Sequence, residues 1–424
     1  MHFLHIVQLY YPVATGAGRY FAEVGERLAR EGHRVTVLAT DAYDLEYLWN
    51  PARRRVELPE EVHGGVRIVR LPVQRAPGPP IVYPIVRRLM VELSRVPGSE
   101  PLLRRMAAIT PRLPGLTHFF ASGERFDLVH ATNITLDFAV LPAYAFARQR
   151  RVPFVCTPFV HLGAPGDSTI LRYYSMRHQV ELLRRSDRVI TMTGLEADAL
   201  AARGVPRAAM RRIGVGVDPA EIAGGDGARF RAEHGVAGPL VLYIGALAYD
   251  KGAVHTVEAL RRLWAQGSDA TLALIGAPLA HFTKFYEQLP ADARARIRLL
   301  PYAPDDVKRD ALAAADVFAM PSRTDSFGIT YLEAWCYGVP VVGARAGGVP
   351  DVIDDGRDGL LTPFGDVDAI AGAIGRLLRD RTLAQRLGAT GQAKVLRELT
   401  WDRIYAQVRA VYDELTEGRM KDEG

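Results

Sequence analysis

The chain is poor in cysteine and lacks long apolar runs. Only two of its 424 residues are cysteines, Cys156 and Cys336, and each lies inside a short apolar segment. Two isolated cysteines give neither a disulfide framework nor the spacing of a metal site, so a cytoplasmic location is expected. No stretch reaches the roughly 18 apolar residues of a membrane-spanning helix. The N-terminal MHFLHIVQLYYP has no basic region or small-residue cleavage site, which favours a first strand over an export signal.

A strong excess of either charge is also absent. The chain has 53 basic and 48 acidic residues, for a net charge of +5. This mild excess does not indicate a nucleic-acid partner. The length exceeds what one hydrophobic core usually organises, so two domains of about 200 residues each are expected.

Strand-like and helix-like segments alternate along most of the chain, as in FDLVHA, VPFVCT, PLVLYIG, ATLALIG and VPVVGA. This alternation predicts an α/β protein with two doubly wound, Rossmann-like parallel sheets. A glycine-rich stretch that begins near 214–219 predicts the domain boundary, with the first domain at 1–215 and the second at 216–399. A helix at about 400–417 is expected to pack back on the first domain. Such sheets bind ligands beyond the carboxyl ends of their strands, so a ligand is expected in a cleft between the domains.

The segment PSRTDSFGITYLEAWCYGVPVVGARAGGVPDVI, residues 321–353, is the richest in chemically informative residues. A loop with Asp325 follows a predicted strand, and Gly328 opens a predicted helix. Glu333 lies among apolar residues of that helix, so its carboxylate needs polar partners. The backbone N–H groups at the start of a helix have no acceptor within the helix and can donate to phosphate or sugar oxygens. Here they are the N–H groups of Ser326, Phe327, Gly328 and Ile329.

Asp325 and Glu333 are two acids separated by seven residues, and a Gly-Gly-Val-Pro turn follows at 347–350. Here the chain resembles glycosyltransferase family 4, retaining enzymes with the two-domain GT-B fold. The resemblance implies that Glu333 binds the ribose of a nucleoside-diphosphate sugar and that Asp325 holds hydroxyls of the donor sugar. The family usually has Glu at the first position, which bears on the sugar held. The alternative is that Asp325 caps the helix and Glu333 pairs with an arginine.

The segment YIGALAYDKGAVHTVEAL, residues 243–260, predicts a strand, a loop with Lys251 and a helix. An ammonium group at this position can reach a diphosphate at the same end of the sheet. The family usually has both an arginine and a lysine here, whereas this chain keeps Lys251 and has Ala246 at the arginine position. Arg323 and Arg345 are the candidates to compensate. The alternative is that Lys251 is a solvated lysine at a helix start.

Two further motifs lie in the predicted first domain. Gly16 falls between the first strand and its helix, and the resemblance implies that its amide meets the donor phosphates, although the second family glycine is Ala17 here. His161 follows the strand-like VCTPFV, where the family has a histidine near the reacting centre. His130 has a similar position. The alternative for both histidines is a structural role in the first domain.

The resemblance implies a hexosyltransferase that moves a sugar from a nucleoside-diphosphate sugar to an acceptor hydroxyl with retention and without a metal or other cofactor. Its catalytic candidates are Asp325, His161 and Lys251. The acceptor stays open between a glycan or polysaccharide, a lipid-linked molecule and a small molecule. A sugar-nucleotide epimerase of the same fold, or a catalytically degenerate partner subunit, are the alternatives.

Residues 81–113 contain two basic amphipathic segments. Ile85, Val86, Leu89, Met90, Leu93 and Val96 share one helical arc, with Arg87, Arg88 and Arg95 opposite. Such helices can lie on an anionic membrane, which would place the protein peripherally at the inner face. The alternative is that the apolar arcs pack on the domain's own sheet and the arginines are solvated.

Overall fold

The computed structural model describes residues 1–13, 15–75 and 77–422. Its contacts divide the chain into two compact units. Of the described residues, the first unit contains those of 1–160, 169–213 and 405–422, and the second contains 161–168 and 214–404. The short segment 161–168 therefore belongs to the second unit, although it lies between two parts of the first in the sequence.

The first unit is built on an eight-stranded sheet. Its strands are β1 (His2–Ile6), β2 (Arg34–Thr40), β3 (Glu60–His63), β4 (Val66–Leu71), β5 (Leu128–Thr132), β6 (Phe154–Thr157), β7 (Arg188–Thr191) and β8 (Met210–Arg212). Strand β3 runs antiparallel to its neighbour β4, and all other neighbouring strands are parallel. Their order across the sheet is β3-β4-β2-β1-β5-β6-β7-β8. The order reverses between β1 and β5, which makes the sheet doubly wound.

Helices cover this sheet with apolar faces at helical spacing. They are α1 (Gly16–Arg30), α2 (Val82–Leu93), α3 (Glu100–Ala107), α4 (Pro114–Ala121), α5 (Asp137–Gln149), α6 (Arg177–Arg185) and α7 (Gly194–Ala201). In α1, Phe21, Val24 and Leu28 are fully buried, as their spacing predicts. The Thr15 hydroxyl caps the helix by accepting the Gly18 N–H at 2.9 Å.

The second unit contains a six-stranded sheet that is parallel throughout. Its strands are β9 (Leu240–Ile244), β10 (Thr271–Ile275), β11 (Ile297–Leu300), β12 (Val317–Ala319), β13 (Val341–Ala344) and β14 (Gly359–Thr362), in the order β11-β10-β9-β12-β13-β14. Strands such as LVLYI of β9 are buried along their whole length, which explains their continuous apolar sequence.

The helices of the second unit are α8 (Pro219–Ile222), α9 (Gly227–Glu233), α10 (Ala253–Ala265), α11 (Ala280–Glu287), α12 (Ala291–Ala295), α13 (Asp305–Ala314), α14 (Ile329–Cys336), α15 (Val349–Val352), α16 (Val367–Arg379) and α17 (Arg381–Glu398). A last helix, α18 (Trp401–Asp422), joins the first unit from Tyr405 onward. None of the helices in the described ranges is long and apolar enough to cross a membrane.

The structure confirms the predicted fold class of two doubly wound parallel sheets, and it differs from the sequence expectations in detail. The composition of residues 170–186 predicts one helix, but helix α6 begins only at Arg177 because Leu171–Tyr173 forms a separate short 3-10 turn. Strands β3, β8 and β14 were not predicted. Two of them, β3 and β8, are short and rich in charged residues, so they lack the apolar runs that mark the other strands.

The apolar arc predicted in residues 81–113 is divided between the interior and the surface. Met90 is fully buried in a cluster with Leu103 and Met176, whereas Ile85 and Leu89 are each 57% exposed. Arg87, expected on the solvated side, is instead buried and donates to Asp137 at 2.8 Å. A buried guanidinium is tolerated there because a carboxylate compensates its charge. The expectation that the arginines are solvated and the apolar residues packed is therefore wrong for Arg87, Ile85 and Leu89.

Candidate active site

Two loops of the second unit meet where its strand order reverses. The first runs from Gly245 to Gly252 after β9, and the second runs from Met320 to Gly328 after β12, the neighbour of β9 in the sheet. A backbone hydrogen bond joins the loops, since the Arg323 N–H donates to the Asp250 carbonyl at 2.9 Å. Parallel strands gather their loops at one edge, which is where doubly wound sheets bind ligands.

Lys251 and Asp325 form an ion pair between these loops. The Lys251 ammonium lies 2.8 Å from Oδ1 of Asp325, and both side chains are largely buried. Burial alone would raise the pKa of the Asp325 carboxyl, but Lys251 outweighs it and the pKa is lowered. Asp325 is therefore an anion at neutral pH. Its other oxygen, Oδ2, is buried and accepts no hydrogen bond within the described residues.

His161 lies beside this ion pair. Its pKa is lowered to about 4 by burial and by the Lys251 ammonium, while the Asp325 carboxylate acts in the opposite direction. The imidazole is therefore neutral at physiological pH. The sequence pattern predicts His161 in the first domain, but the contacts of segment 161–168 belong to the second unit. The Gly163 carbonyl in this segment accepts the Gly347 N–H at 2.8 Å, which attaches the segment to the glycine turn.

The glycine turn holds the backbone of Asp325. The Gly348 N–H donates to the Asp325 carbonyl at 2.8 Å. Gly347 has a φ of +61°, and a Cβ there would lie 2.4 Å from the same carbonyl oxygen. A side chain at this position would displace the Asp325 loop. The turn therefore fixes the backbone position from which the Asp325 side chain extends.

Helix α14 begins next to Asp325 with four amides available. Gly328 is its N-cap residue. Within the described part of the chain, no acceptor lies within hydrogen-bond distance of four backbone N–H groups, those of Ser326, Phe327, Gly328 and Ile329. Such amides at a helix start favour anions and polar oxygens. The structure thus brings these amides together with Lys251 and Asp325, as the sequence analysis expected.

Glu333 is buried on α14 and is paired with a lysine. The Lys308 ammonium on α13 lies 3.0 Å from Oε1 and 2.9 Å from Oε2 of Glu333. The alternative considered for Glu333 was an arginine partner, and the partner seen is Lys308. No motif or spacing in the sequence pointed to Lys308, because it lies on a different helix.

Arg323 and Arg345, the two arginines considered as replacements for the missing cation, have different surroundings. Arg323 contacts Asp250, next to Lys251, at 2.7 Å and Asp167 at 3.3 Å. Its guanidinium carbon lies 4.9 Å from the centre of the Phe364 ring. Arg345 instead pairs with Asp355 at 2.5 Å and is half exposed. Arg323 is thus the second cation at the Lys251 loop.

The other two sequence candidates lie in the first unit. Gly16 is the exposed first residue of α1, where backbone amides have no acceptor inside the helix. His130 is fully buried in β5, with Nδ1 2.6 Å from the Tyr412 hydroxyl and Nε2 2.7 Å from the Thr157 hydroxyl. These contacts satisfy both ring nitrogens, so His130 has a structural role.

Comparisons with known proteins agree with this architecture. Residues 15–216 match the family described as a glycosyl transferase 4-like domain, and residues 228–394 match glycosyl transferases group 1. The UDP-glucose complex of HepE from Anabaena superposes with a TM-score of 0.72 at 20% identity and covers 98% of this chain and all of that one. The protein has two units built on parallel sheets, and charged loops lie at one edge of the second sheet. Together with these matches, they define a GT-B protein.

Curated relatives point to the same group. A GDP-mannose-dependent alpha-(1-6)-phosphatidylinositol monomannoside mannosyltransferase of Mycolicibacterium smegmatis is 33% identical over 208 residues, which are 46% of this chain and 54% of that protein. Glycogen synthase of Mycobacterium tuberculosis is 25% identical over 97% of this chain and 94% of its own length. The chain spans about half the length of the first of these relatives. The chain belongs to the glycosyl transferase group 1 family, glycosyltransferase family 4.

Proposed function

We propose that this protein transfers a hexosyl group from a nucleoside-diphosphate sugar to an acceptor hydroxyl, with retention of the anomeric configuration. The observation that supports the proposal best is the edge of the second sheet. A partly buried ion pair, a neutral histidine and four available amides meet there. Retention rests on family membership.

Each group at this edge fits one part of such a donor. Lys251 and the amides of 326–329 would meet the diphosphate, whose negative charge grows as the sugar departs. The free Oδ2 of Asp325 would accept a hydrogen bond from a sugar hydroxyl. Glu333 would hold the ribose, and the amide of Gly16 would meet the donor phosphates. His161, being neutral, can donate or accept a hydrogen bond near the reacting carbon without repelling Lys251.

Arg323 would supply the positive charge that Ala246 lacks. Its ion pairs with Asp250 and Asp167 hold the guanidinium beside the Lys251 loop. A guanidinium can bind a phosphate through two parallel hydrogen bonds. A diphosphate bound there would meet two cations of this unit.

The first experiment is a thermal-stability screen of the purified protein with UDP-, GDP- and ADP-sugars. The mycolicibacterial relative is named for GDP-mannose and the Anabaena structure holds UDP-glucose, so both donors belong in the first set. We expect one nucleotide series to raise the unfolding temperature, because a ligand that binds only the folded state stabilises it. No stabilisation by any donor would contradict the proposal and favour a degenerate subunit.

A second measurement separates transfer from its alternatives. The stabilising donor is incubated with and without a mixture of hydroxyl acceptors, and products are followed by NMR. A transferase forms a new glycoside only when an acceptor is present, with the anomeric configuration of the donor. Epimerised or hydrolysed donor in the absence of acceptor would instead identify an epimerase of the same fold.

We also propose that the acceptor is reached at an anionic membrane surface, at the inner face of the cytoplasmic membrane. Ile81, Ile85, Leu89, Val96 and Leu102 are each at least 50% exposed, and Arg88, Arg95 and Arg105 are exposed among them. Apolar side chains flanked by arginines suit a peripheral contact with anionic lipid. The relative named for a phosphatidylinositol monomannoside acceptor is consistent with a lipid-linked substrate.

Co-sedimentation with vesicles containing anionic lipid tests this contact. Binding should fall as salt rises, and it should fall further when Arg88, Arg95 and Arg105 are changed to Ser. Arg87 is left intact because its ion pair with Asp137 is buried. A matched variant with Arg53→Ser and Arg125→Ser removes exposed charge elsewhere and should bind as wild type does. No sedimentation at low salt would make a soluble acceptor the better candidate.

A further inference from the structure

The first unit contains an open, arginine-lined cavity that the proposed donor site does not use. Its volume is about 820 Å³, and its walls come from α3, α6 and the segment after α7. None of its lining residues belongs to the second unit. Five of them are arginines: Arg104, Arg177, Arg184, Arg185 and Arg203.

Two carboxylates in the same wall neutralise only part of this charge. Glu181 pairs with Arg104 at 2.6 Å and with Arg185 at 2.7 Å. Glu100 pairs with Arg177 at 3.5 Å. The lining therefore has five guanidinium groups and two carboxylates, which leaves an excess of three positive charges. A concave wall with a net charge of one sign concentrates its field on the space inside.

Arg203 donates to the Ala199 carbonyl at 2.9 Å, but the wall still holds donors without an anionic partner. Arg184 and Arg203 have no carboxylate within ion-pair distance among the residues that the structure describes. The Nε atom of Arg104 is buried and has no hydrogen-bond partner there. A buried donor without an acceptor costs free energy, which an anionic ligand would recover.

We propose that this cavity binds a ligand that carries one or more phosphate groups. The guanidinium group of arginine can donate two parallel hydrogen bonds to phosphate oxygens. The excess of positive charge suits a ligand with two or more negative charges. The volume lies within the range of about 300–1,000 Å³ that is usual for small-ligand sites. The same chemistry is offered by a free phosphorylated molecule and by a phospholipid headgroup. Neither source depends on the activity proposed for the second unit.

The test is calorimetric titration with inorganic pyrophosphate at constant ionic strength. Because the second unit is also expected to bind a diphosphate, every protein in the titration has Lys251→Ala to weaken that site, and the effect of the cavity substitutions is measured against this parent. Adding Arg184→Gln and Arg203→Gln should weaken the affinity by about tenfold or more, since charge-assisted hydrogen bonds are lost. Both side chains are exposed, so the fold should be kept, and a thermal melt checks this.

The matched control adds Arg53→Gln and Arg125→Gln, which remove two exposed arginines of the same unit outside the cavity. It should bind pyrophosphate as the Lys251→Ala parent does. Equal affinity of the cavity variant and this control would overturn the proposal, as would absence of saturable binding in the parent.

Vesicles containing phosphatidic acid separate the two phosphate sources. If the cavity takes a lipid headgroup, Arg184→Gln with Arg203→Gln should lower the vesicle-bound fraction in otherwise wild-type protein, and pyrophosphate should compete. If the ligand is a free phosphorylated molecule, vesicle binding stays unchanged while pyrophosphate binding is lost. Both results support the site and differ only in the ligand's source.

Discussion

Two networks of buried titratable groups, one in each unit, differ in how they use their hydrogen-bonding capacity. In the first unit, the Tyr412 hydroxyl lies 2.6 Å from Nδ1 of His130 and 3.0 Å from Nε2 of His5. In the second unit, Lys251 and Asp325 are charged, with Oδ2 of Asp325 and the amides of 326–329 left unused. The first network joins strands and α18 within the core, whereas the second presents unused donors and acceptors.

The comparison shows what distinguishes a structural histidine from a candidate site residue. Burial lowers the pKa of His5 to about 3 and that of His130 well below its ordinary value. The pKa of His161 is lowered to a similar extent, to about 4. A lowered pKa therefore does not identify the site. The ion pair beside His161 is the better marker of a site, because its unused carboxylate oxygen can accept a hydrogen bond from a ligand.

The largest expected effect comes from removing the cation of the second network. Lys251→Ala should lower kcat/KM by about 100- to 1,000-fold, because a preorganised partner of the leaving diphosphate is lost. Steady-state kinetics with the stabilising donor measure the change. Lys284→Ala, on the exposed side of α11, is the control and should keep wild-type turnover. Full activity of Lys251→Ala would place the phosphate site elsewhere.

A smaller effect is expected when Glu333 loses its charge. Glu333→Gln should weaken donor binding by about 10- to 100-fold, since hydrogen bonds to a charged group contribute about 1.5–3 kcal/mol. Calorimetric titration measures the dissociation constant, with the exposed Glu287→Gln as control.

Lys308→Met separates ribose binding from a purely structural role for Glu333. If Glu333 holds the ribose, this variant keeps the carboxylate and should bind the donor within a few-fold of wild type. If the ion pair with Lys308 is all that Glu333 provides, the two variants should lose donor affinity to the same extent.

Disrupting the first network, that of His5, His130 and Tyr412, should lower stability without changing activity. Tyr412→Phe removes the hydroxyl that joins His5 and His130 and should lower the free energy of unfolding by about 1–3 kcal/mol, because buried histidine nitrogens are left without partners. Urea unfolding measures the loss, and kcat/KM should stay at the wild-type value. Tyr302→Phe, at a 75% exposed tyrosine, should change neither quantity. A large fall in kcat/KM without loss of stability would mean that the first network takes part in the reaction.

Much of the fold was predictable because the central strands are buried along their length and have continuous apolar sequences. The Lys251 loop, the Asp325 loop and the start of α14 were predictable because each follows such a strand. Features that depend on packing between distant parts of the chain were not predictable from the sequence. Lys308 reaches Glu333 from another helix, and Arg87 is buried only because Asp137, 50 residues later, packs against it. No local pattern encodes either pair.

His161 shows the same limit of local patterns. Its position after β6 suggested the first domain, and only the three-dimensional path of segment 161–168 assigns it to the second unit. The sequence thus predicted that Lys251, Asp325 and the start of α14 lie together, while the surroundings of His161 required the structure.

The last expected effect, which shows only on acidification, is a change in how stability depends on pH. The pKa of His161 is about 4 in the folded protein against 6.5 for a free histidine. Between these values the unfolded chain binds a proton that the folded protein does not, so His161 lowers the free energy of unfolding as pH falls from 6.5 towards 4. Below about pH 4 both states are protonated and the loss levels off. His161→Gln should therefore lose less stability than wild type across this window, by up to about 1.4 kcal/mol for each pH unit. Urea unfolding at several pH values measures the difference, and the exposed His118→Gln is the control. A wild-type-minus-variant difference that stays constant from pH 7 to pH 4.5 would show that His161 titrates as it does in the unfolded chain, and would remove the electrostatic link between His161 and the Lys251–Asp325 pair.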